Sequence, residues 1–333
     1  MSEKIKVGII GCGHLGKMHL KNLKEIEKEN DNIELSGIYD INNEITAMLA
    51  AEFNVKNYSS LDEIIRDINT AVIVTPTSAH FEIAFKTINN NIHTFIEKPV
   101  TDDISSGHKL IDALKINDVI VQVGHIERFN PALMSVETYN ISPLFIETHR
   151  LAQYNPRGTD VSVIHDLMIH DIDIILNLVN SKVKTIDANG VAIMTDKIDI
   201  ANARLKFENG CVANITASRI SQKKMRKMRI FQPDAYLSID FLKNTSEVFK
   251  LNEKGGISLG FSLGEIKKDG KIYNLFYNQP KPKEINAMKY ELISFFNCIQ
   301  KNEEPEVTLK DGVHALEVAT EIIKEIEKSG VKV

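Results

Sequence analysis

The sequence predicts an α/β fold in two parts. A doubly wound parallel sheet comes first, and an α+β domain with an open-faced, mostly antiparallel sheet and helices on one face follows. Three observations predict it. A short apolar run, Ile5–Ile10, leads into Gly11-Cys12-Gly13-His14-Leu15-Gly16 and then an amphipathic stretch. Strand and helix signals alternate through residues 5–123 in the βαβ manner. Beyond that point the strand signals lengthen, and Asn209-Gly210 between the runs 201–207 and 211–217 is a hairpin signal.

Each element has its own warrant. The run Ile5–Ile10 reads as a buried strand, and the glycines after it have separate tasks. The first permits a tight strand-to-helix turn, the second lets a pyrophosphate approach the backbone, and the third lets helix and strand pack closely. The helix N-terminus then offers unpaired N–H groups and a positive dipole end to phosphate. Gly11, Gly13, His14, Leu15 and Gly16 are therefore candidate dinucleotide contacts, and the domain is read as a Rossmann domain. Leu15, Met18, Leu23 and Ile26 give the following helix its apolar stripe. The next strand, 34–40, ends in Asp40, close to the spacing expected of the carboxylate that accepts the adenosine ribose hydroxyls. That carboxylate would repel a 2′-phosphate, and Ile41, Asn42 and Asn43 supply no arginine to hold one. The cofactor expected is NAD. Helices follow at 45–53 and 61–68, and a buried strand at 71–75 is broken by Pro76. A helix at 81–90 precedes a strand at 94–96 that runs into Glu97-Lys98-Pro99, and a helix at 104–114 precedes a strand at 119–123. The dinucleotide domain is placed at 1–124 and a substrate-binding and oligomerisation domain at 125–333. The second domain has strands near 230–231, 236–239 and 247–251, with helices near 163–178, 284–300 and 312–328.

The bulk properties narrow the function. At 333 residues with 43% apolar content, two ordinary cores are expected. A net charge of −5 argues against a nucleic-acid partner. No apolar run approaches a membrane span, and no signal-peptide pattern is present, so the cytoplasm is the expected compartment. Cys12, Cys211 and Cys298 are far apart and form neither a disulfide framework nor a zinc spacing. An open sheet with an apolar outer face needs covering, so a homo-oligomer is expected.

The helix from Val163 is the second feature that bears on chemistry. At 100° per residue, Asp166, His170, Asp173 and Asn177 share a narrow sector, and the other directions are apolar. A polar stripe on a buried helix must face a cavity, a ligand or internal partners. A histidine four residues after an aspartate on one face has the make-up of an acid–base pair. His165 and His170 point in different directions, and there is no HExxH, so no metal is expected.

Together these pieces resemble the Gfo/Idh/MocA oxidoreductase family across essentially the whole chain. The matching residues are GCGHLG, the segment Thr75-Pro76-Thr77-Ser78-Ala79-His80, Glu97-Lys98-Pro99, and the Asp166-x-x-x-His170 helix. The resemblance implies that Lys98, Asp166 and His170 form the catalytic set. It also implies that Glu97 and Lys98 lie beside the nicotinamide and that Thr75, Pro76 and His80 lie along the cofactor. Residues 124–132 (GHIERFNPA) and 150–176 resemble members that oxidise the 3-hydroxyl of UDP-N-acetylglucosamine, whose keto product a partner aminotransferase converts to a 3-amino sugar. On that resemblance the substrate is a UDP-sugar. Arg128, Arg150 and Arg157 are then candidates for the diphosphate, and Asn130 and Tyr154 for the sugar hydroxyls or acetamido group. The basic run Lys223, Lys224, Arg226, Lys227 and Arg229 is a second candidate for the diphosphate. Other readings are another sugar, inositol or UDP-hexuronate dehydrogenase of the family, or an NAD-binding regulator without catalysis. The intact Lys98, Asp166 and His170 argue against the last.

Overall fold

Strands buried on both faces read as near-continuous apolar runs, and Ile5–Ile10 (β1) is one: Ile5, Val7, Ile9 and Ile10 are all buried. The computed structural model describes residues 4–155, 161–253 and 259–328. After β1 come His14–Glu29 (α1), Ile33–Tyr39 (β2), Asn43–Phe53 (α2), Leu61–Asp67 (α3), Thr70–Ile73 (β3), His80–Asn89 (α4), His93–Glu97 (β4), Ile104–Leu114 (α5) and Val121–Gly124 (β5). Three of these helices begin at side-chain caps. The oxygens of Asn42, Ser60 and Asp103 accept backbone N–H groups of the first turns of α2, α3 and α5. The sheet is parallel throughout, in the order β2-β1-β3-β4-β5. The stripe of α1 is set slightly differently from the sequence reading. Met18 is exposed, and the buried face is Gly16, His19, Leu20, Asn22, Leu23 and Ile26.

The chain then makes a short α-helix, Pro131–Met134 (α6), and a strand, Phe145–Leu151 (β6). A π-turn at Ile164–Met168 runs directly into Ile169–Val179 (α7). Eight strands follow: Val183–Val191 (β7), Ile200–Phe207 (β8), Val212–Ser218 (β9), Met225–Gln232 (β10), Ala235–Asp240 (β11), Thr245–Glu253 (β12), Phe261–Lys268 (β13) and Lys271–Asn278 (β14). They join β6 in a sheet ordered β13-β14-β12-β11-β10-β6-β9-β8-β7. Every pairing is antiparallel except β6 with β9, which is parallel. The Asn209-Gly210 signal is the turn between β8 and β9, with Gly210 at φ 90°. Two helices, Ala287–Lys301 (α8) and Leu309–Lys328 (α9), close the described chain.

The two compact units are Met1–Ile126 with Ile285–Leu316, and Glu127–Glu284 with Glu317–Val333. This differs from a simple division at 124. Residues 285–316 return to the first unit because its core and its sheet edge need them. Leu292, Phe295 and Phe296 of α8 pack in one cluster with Leu20, Leu23 and Phe95, and the Phe95 and Phe295 rings lie 6.0 Å apart. The open edge of β5 is met by Val307, whose carbonyl accepts the Val123 N–H at 3.1 Å, and by a bridge from Gln122 to Thr308.

Candidate active site

In the first unit the glycine loop lies at the carboxyl end of β1, which has β2 on one side and β3 on the other. The chain leaves β1 toward β2 on one side and leaves β3 toward β4 on the other, so the crevice between β1 and β3 is a topological switch point. Gly11 stands at φ 106°, and a Cβ there would lie 2.6 Å from the Val74 carbonyl group. A Cβ at Gly16 would run into the Gly11 carbonyl, so the third glycine lets the helix start against the turn. Gly13 has open space where its Cβ would be, and as N-cap of α1 it brings no side chain to the helix end. The uncovered N-terminus of α1 therefore fits a pyrophosphate. Gly13 and His14 are exposed beside it, and Leu15 is half-buried.

Asp40 is tied to this loop. Its Oδ2 accepts the Cys12 N–H at 2.7 Å and its Oδ1 the Asn42 N–H at 2.9 Å. A carboxylate has about four acceptor positions, so capacity remains for ribose hydroxyls. Burial, with the Asp40 charge beside it, pushes the Cys12 thiol up to about 12, which leaves it unreactive.

Thr75 and Pro76 follow β3 on the same edge of the sheet, Thr75 half-buried and Pro76 exposed. His80 is placed differently from the expectation. It is 1% exposed, with Nδ1 2.8 Å from the Pro99 carbonyl and Nε2 2.9 Å from the Thr75 carbonyl, so backbone occupies both ring nitrogens. Glu97 likewise has an internal partner: its Oε1 lies 2.7 Å from His19 Nε2. The ring nitrogens of His80 and the carboxylate oxygens of Glu97 thus all have partners inside the unit. Lys98, between Glu97 and Pro99, is half-buried.

In the second unit the helical run 164–179 carries Asp166 and His170. Both are half-buried, as are His165 and Leu167, and most of α7 is buried. The π-turn widens the spacing over Ile164–Met168, so the regular 100° wheel holds only from Ile169 onward. The polar stripe divides accordingly. Asp173 is buried against Arg128, which donates from Nε at 2.7 Å and Nη2 at 2.8 Å. Asp171 is buried against Arg150, which donates from Nε and Nη2, each at 2.9 Å. Arg150 Nη1 also reaches Glu127 Oε1 at 2.7 Å, and Arg226 reaches the same oxygen at 3.2 Å. Burial works against the Glu127 carboxylate, but Arg150 and Arg226 hold it below the usual range. Burial also works against the Arg150 charge, and Asp171 and Glu127 more than restore it.

The substrate candidates are redistributed by this network. Arg128 and Arg150 have their guanidinium groups inside the unit, and Arg150 is 2% exposed, so neither presents a free fork to a diphosphate. Asn130 is structural too. It caps α6 through the Ala132 N–H at 3.0 Å and donates to Glu127 at 3.0 Å and to the Phe241 carbonyl at 3.3 Å. Tyr154 is exposed, and Arg157 lies outside the described residues. Of the basic run, Lys227 pairs with Asp240 and Arg229 with Glu147, while Lys223 and Lys224 are exposed. Residues the sequence reading missed are His19, Glu127 and the pairings of Asp171. The one available signal for His19 was its place on the buried side of α1, beside Leu20.

Comparison with known proteins extends the picture. Residues 5–125 match the model of an oxidoreductase family with an NAD-binding Rossmann fold, and residues 134–237 match the GFO/IDH/MocA C-terminal domain. The UDP-N-acetylglucosamine 3-dehydrogenase of Acidithiobacillus ferrooxidans is 38% identical over 246 residues, 74% of this chain and 77% of that protein. Its solved structure superposes with a TM-score of 0.86 at 32% identity over 98% of each chain. The myo-inositol 2-dehydrogenase of Thermotoga maritima is 23% identical over 345 residues, 97% of each. Levoglucosan dehydrogenase in complex with NADH shares the fold, with a TM-score of 0.82 at 19% identity over 98% of this chain and 97% of that one.

Two outcomes follow from the buried polar groups. Asp171→Ala leaves the Arg150 charge buried with Glu127 as its remaining carboxylate partner and should cost about 3–5 kcal/mol. The triple replacement Arg150→Met/Asp171→Leu/Glu127→Gln leaves no uncompensated buried charge and should recover most of that in urea unfolding, and a triple variant no more stable than Asp171→Ala would contradict the pairing. The second outcome concerns pH. Burial lowers the affinity of His80 for a proton, outweighing the carbonyls of Pro99 and Thr75, while the unfolded ring titrates near 6.5. Below about 6.5 the unfolded chain therefore takes up a proton that the folded one resists, so stability falls with acidification and is flat above. His80→Gln should show a shallower acid slope, and an unchanged slope would assign the loss to other groups.

Proposed function

This chain belongs to the Gfo/Idh/MocA oxidoreductase family, and we propose from that membership that it oxidises the 3-hydroxyl of UDP-N-acetylglucosamine to a 3-keto sugar nucleotide with NAD. The observation that carries the substrate is the 38% identity over 74% of the chain to a UDP-N-acetylglucosamine 3-dehydrogenase. Lys98, Asp166 and His170 are the residues assigned to the chemistry. NAD, when bound, supplies the hydride acceptor, and the glycine loop, the α1 N-terminus and Asp40 are the groups that would hold it. The hydroxyl proton must go to a base, and His170 is the side chain whose ordinary pKa suits that task near neutral pH. Asp166 orients the imidazole and stabilises its protonated form. Lys98 donates a hydrogen bond to the same oxygen, favouring the developing alkoxide. Tyr154 and Arg157 are the remaining substrate-side candidates. A 3-keto sugar nucleotide is what an aminotransferase would take to make a 3-amino sugar. Three free cysteines, two of them buried, fit a reducing compartment, and we place the enzyme in the cytoplasm.

Purified protein mixed with NAD and UDP-N-acetylglucosamine, with a carbonyl trap, should form NADH. His170→Ala and Lys98→Met should each lower kcat by about 10²-fold or more while NAD binding persists by calorimetry. Inhibition by UDP is expected. Turnover of inositol or a free sugar that UDP does not inhibit would replace the UDP-sugar reading.

We also propose that the outer face of the large sheet seats a second copy of the chain. Phe145, Phe231, Tyr236, Phe249 and Tyr277 form a cross-strand row with ring centroids 5.9, 4.9, 5.7 and 5.0 Å apart in turn, and Phe261 pairs with Tyr277 in register. Their strand neighbours Ile146, Ile230, Leu237 and Val248 are buried, so the row lies on the opposite face. Sedimentation should give a dimer or larger assembly that Phe231→Asp/Tyr236→Asp dissociates. A wild-type monomer at micromolar concentration would end this reading.

A further inference from the structure

Lys98 has one neighbour on either side along the chain, and a different buried histidine holds each. On one side, Glu97 ends β4, and its Oε1 lies 2.7 Å from His19 Nε2. His19 is fully buried on α1, its ring edge-to-face with Phe95 at a centroid separation of 5.6 Å. On the other side, the Pro99 carbonyl lies 2.8 Å from His80 Nδ1, and the same ring reaches back to the Thr75 carbonyl through Nε2 at 2.9 Å. Glu97 closes the arrangement locally: its Oε2 accepts the Lys98 N–H at 3.3 Å. Gly124 on β5 makes the room, because a Cβ there would lie 3.0 Å from Glu97 Oε2 and 3.0 Å from Phe95 Cζ.

Such an arrangement is costly to build. A carboxylate and two imidazoles are taken out of water, and polar groups buried with incomplete pairing are destabilising. His19 Nδ1 is itself buried without a hydrogen-bond partner among the described residues. Apolar side chains would fill the same space at lower cost. What the two histidines share is the residue between their targets. His19 also lies on the helix that begins at the glycine loop. Six residues of helix, about 9 Å, separate Gly13 from His19, so the seat of the phosphates and the anchor of Glu97 belong to one rigid element.

We propose that His19 and His80 are positioning residues for Lys98, fixing the backbone on both sides of it in register with the cofactor seat. The inference rests on the assignment of Lys98 to the chemistry made above. Positioning of this kind acts on kcat: a misplacement of about 1 Å at a reacting group costs about 10²-fold.

The test uses the full-length protein with NAD bound. His19→Leu and His80→Leu should each lower kcat by about 10²-fold, with KM for the sugar nucleotide and NAD affinity little changed. His19→Gln, whose amide can donate to Glu97, should recover most of the loss. Amide hydrogen exchange in peptides covering 97–101 should quicken in both leucine variants and not in His19→Gln. Two outcomes overturn the proposal: unchanged kcat and exchange in the leucine variants, or a parallel fall of kcat, substrate affinity and thermal stability in leucine and glutamine variants alike. Should His19→Leu fail to fold, Glu97→Gln carries the same measurements, because it keeps the shape and weakens the bond to His19. A wild-type protein that makes no NADH from UDP-N-acetylglucosamine would defeat the substrate reading alone. The exchange of 97–101 would still decide whether the histidines hold that segment.

Discussion

Buried charge that must be paired is the constraint around which the second unit is organised. Arg150 is fully enclosed on β6, and its guanidinium is acceptable there only because Asp171 takes two of its donors and Glu127 a third. Those partners lie on two other elements, α7 and the turn that precedes α6. The next residue on that turn, Arg128, makes a bidentate pair with Asp173. The turn and the helix are thus tied at two points, at 127–128 and at 171–173. An apolar contact permits sliding and rotation, whereas a bidentate pair has one good geometry. The half-buried Asp166 and His170 ride on a helix whose rotation is fixed by its neighbours on the chain.

Much of the first unit was legible from local rules. The order of strands and helices, the tight turn at Gly11 and the approach at Gly16 all follow from residue type and spacing. What stayed hidden depends on partners far away in sequence. His19 and Glu97 are 78 residues apart, and nothing local marks either as the other's partner. β6, FIETHRL, does not read as a strand with a buried arginine until Asp171 and Glu127 are in place around Arg150. β13 was missed for the opposite reason: all eight of its residues are exposed, so no buried face shapes its sequence. An arginine that grips a diphosphate and one that completes a buried network are the same letter, so the sequence did not reveal the carboxylate pairings of Arg128 and Arg150. The regular-helix wheel failed at Ile164–Met168, where a π-turn changes the angular step.

The parallel pairing of β6 with β9 explains where α7 sits. Two parallel neighbours cannot be joined by a hairpin, and a crossover must carry the chain back. The segment between Leu151 and Val212 does so, and it holds the π-turn, α7, β7 and β8. α7 packs against both β6 and β9, over the one joint in this sheet that is not antiparallel. The helix assigned to the chemistry is therefore the structural covering of the crossover.

The return of residues 285–316 to the first unit has a consequence for how the protein is made. A ribosome delivers β1 to β5 before residues 127–284, but Phe295, Phe296 and the Val307 partner of the β5 edge emerge only after them. While residues 127–284 are being made, the nascent dinucleotide unit carries an uncovered core face and a bare strand edge, the features that invite chaperones and misassembly. A chain stopped before residue 285 would thus hold all of β1 to β5 and still lack part of the core and edge that complete their unit.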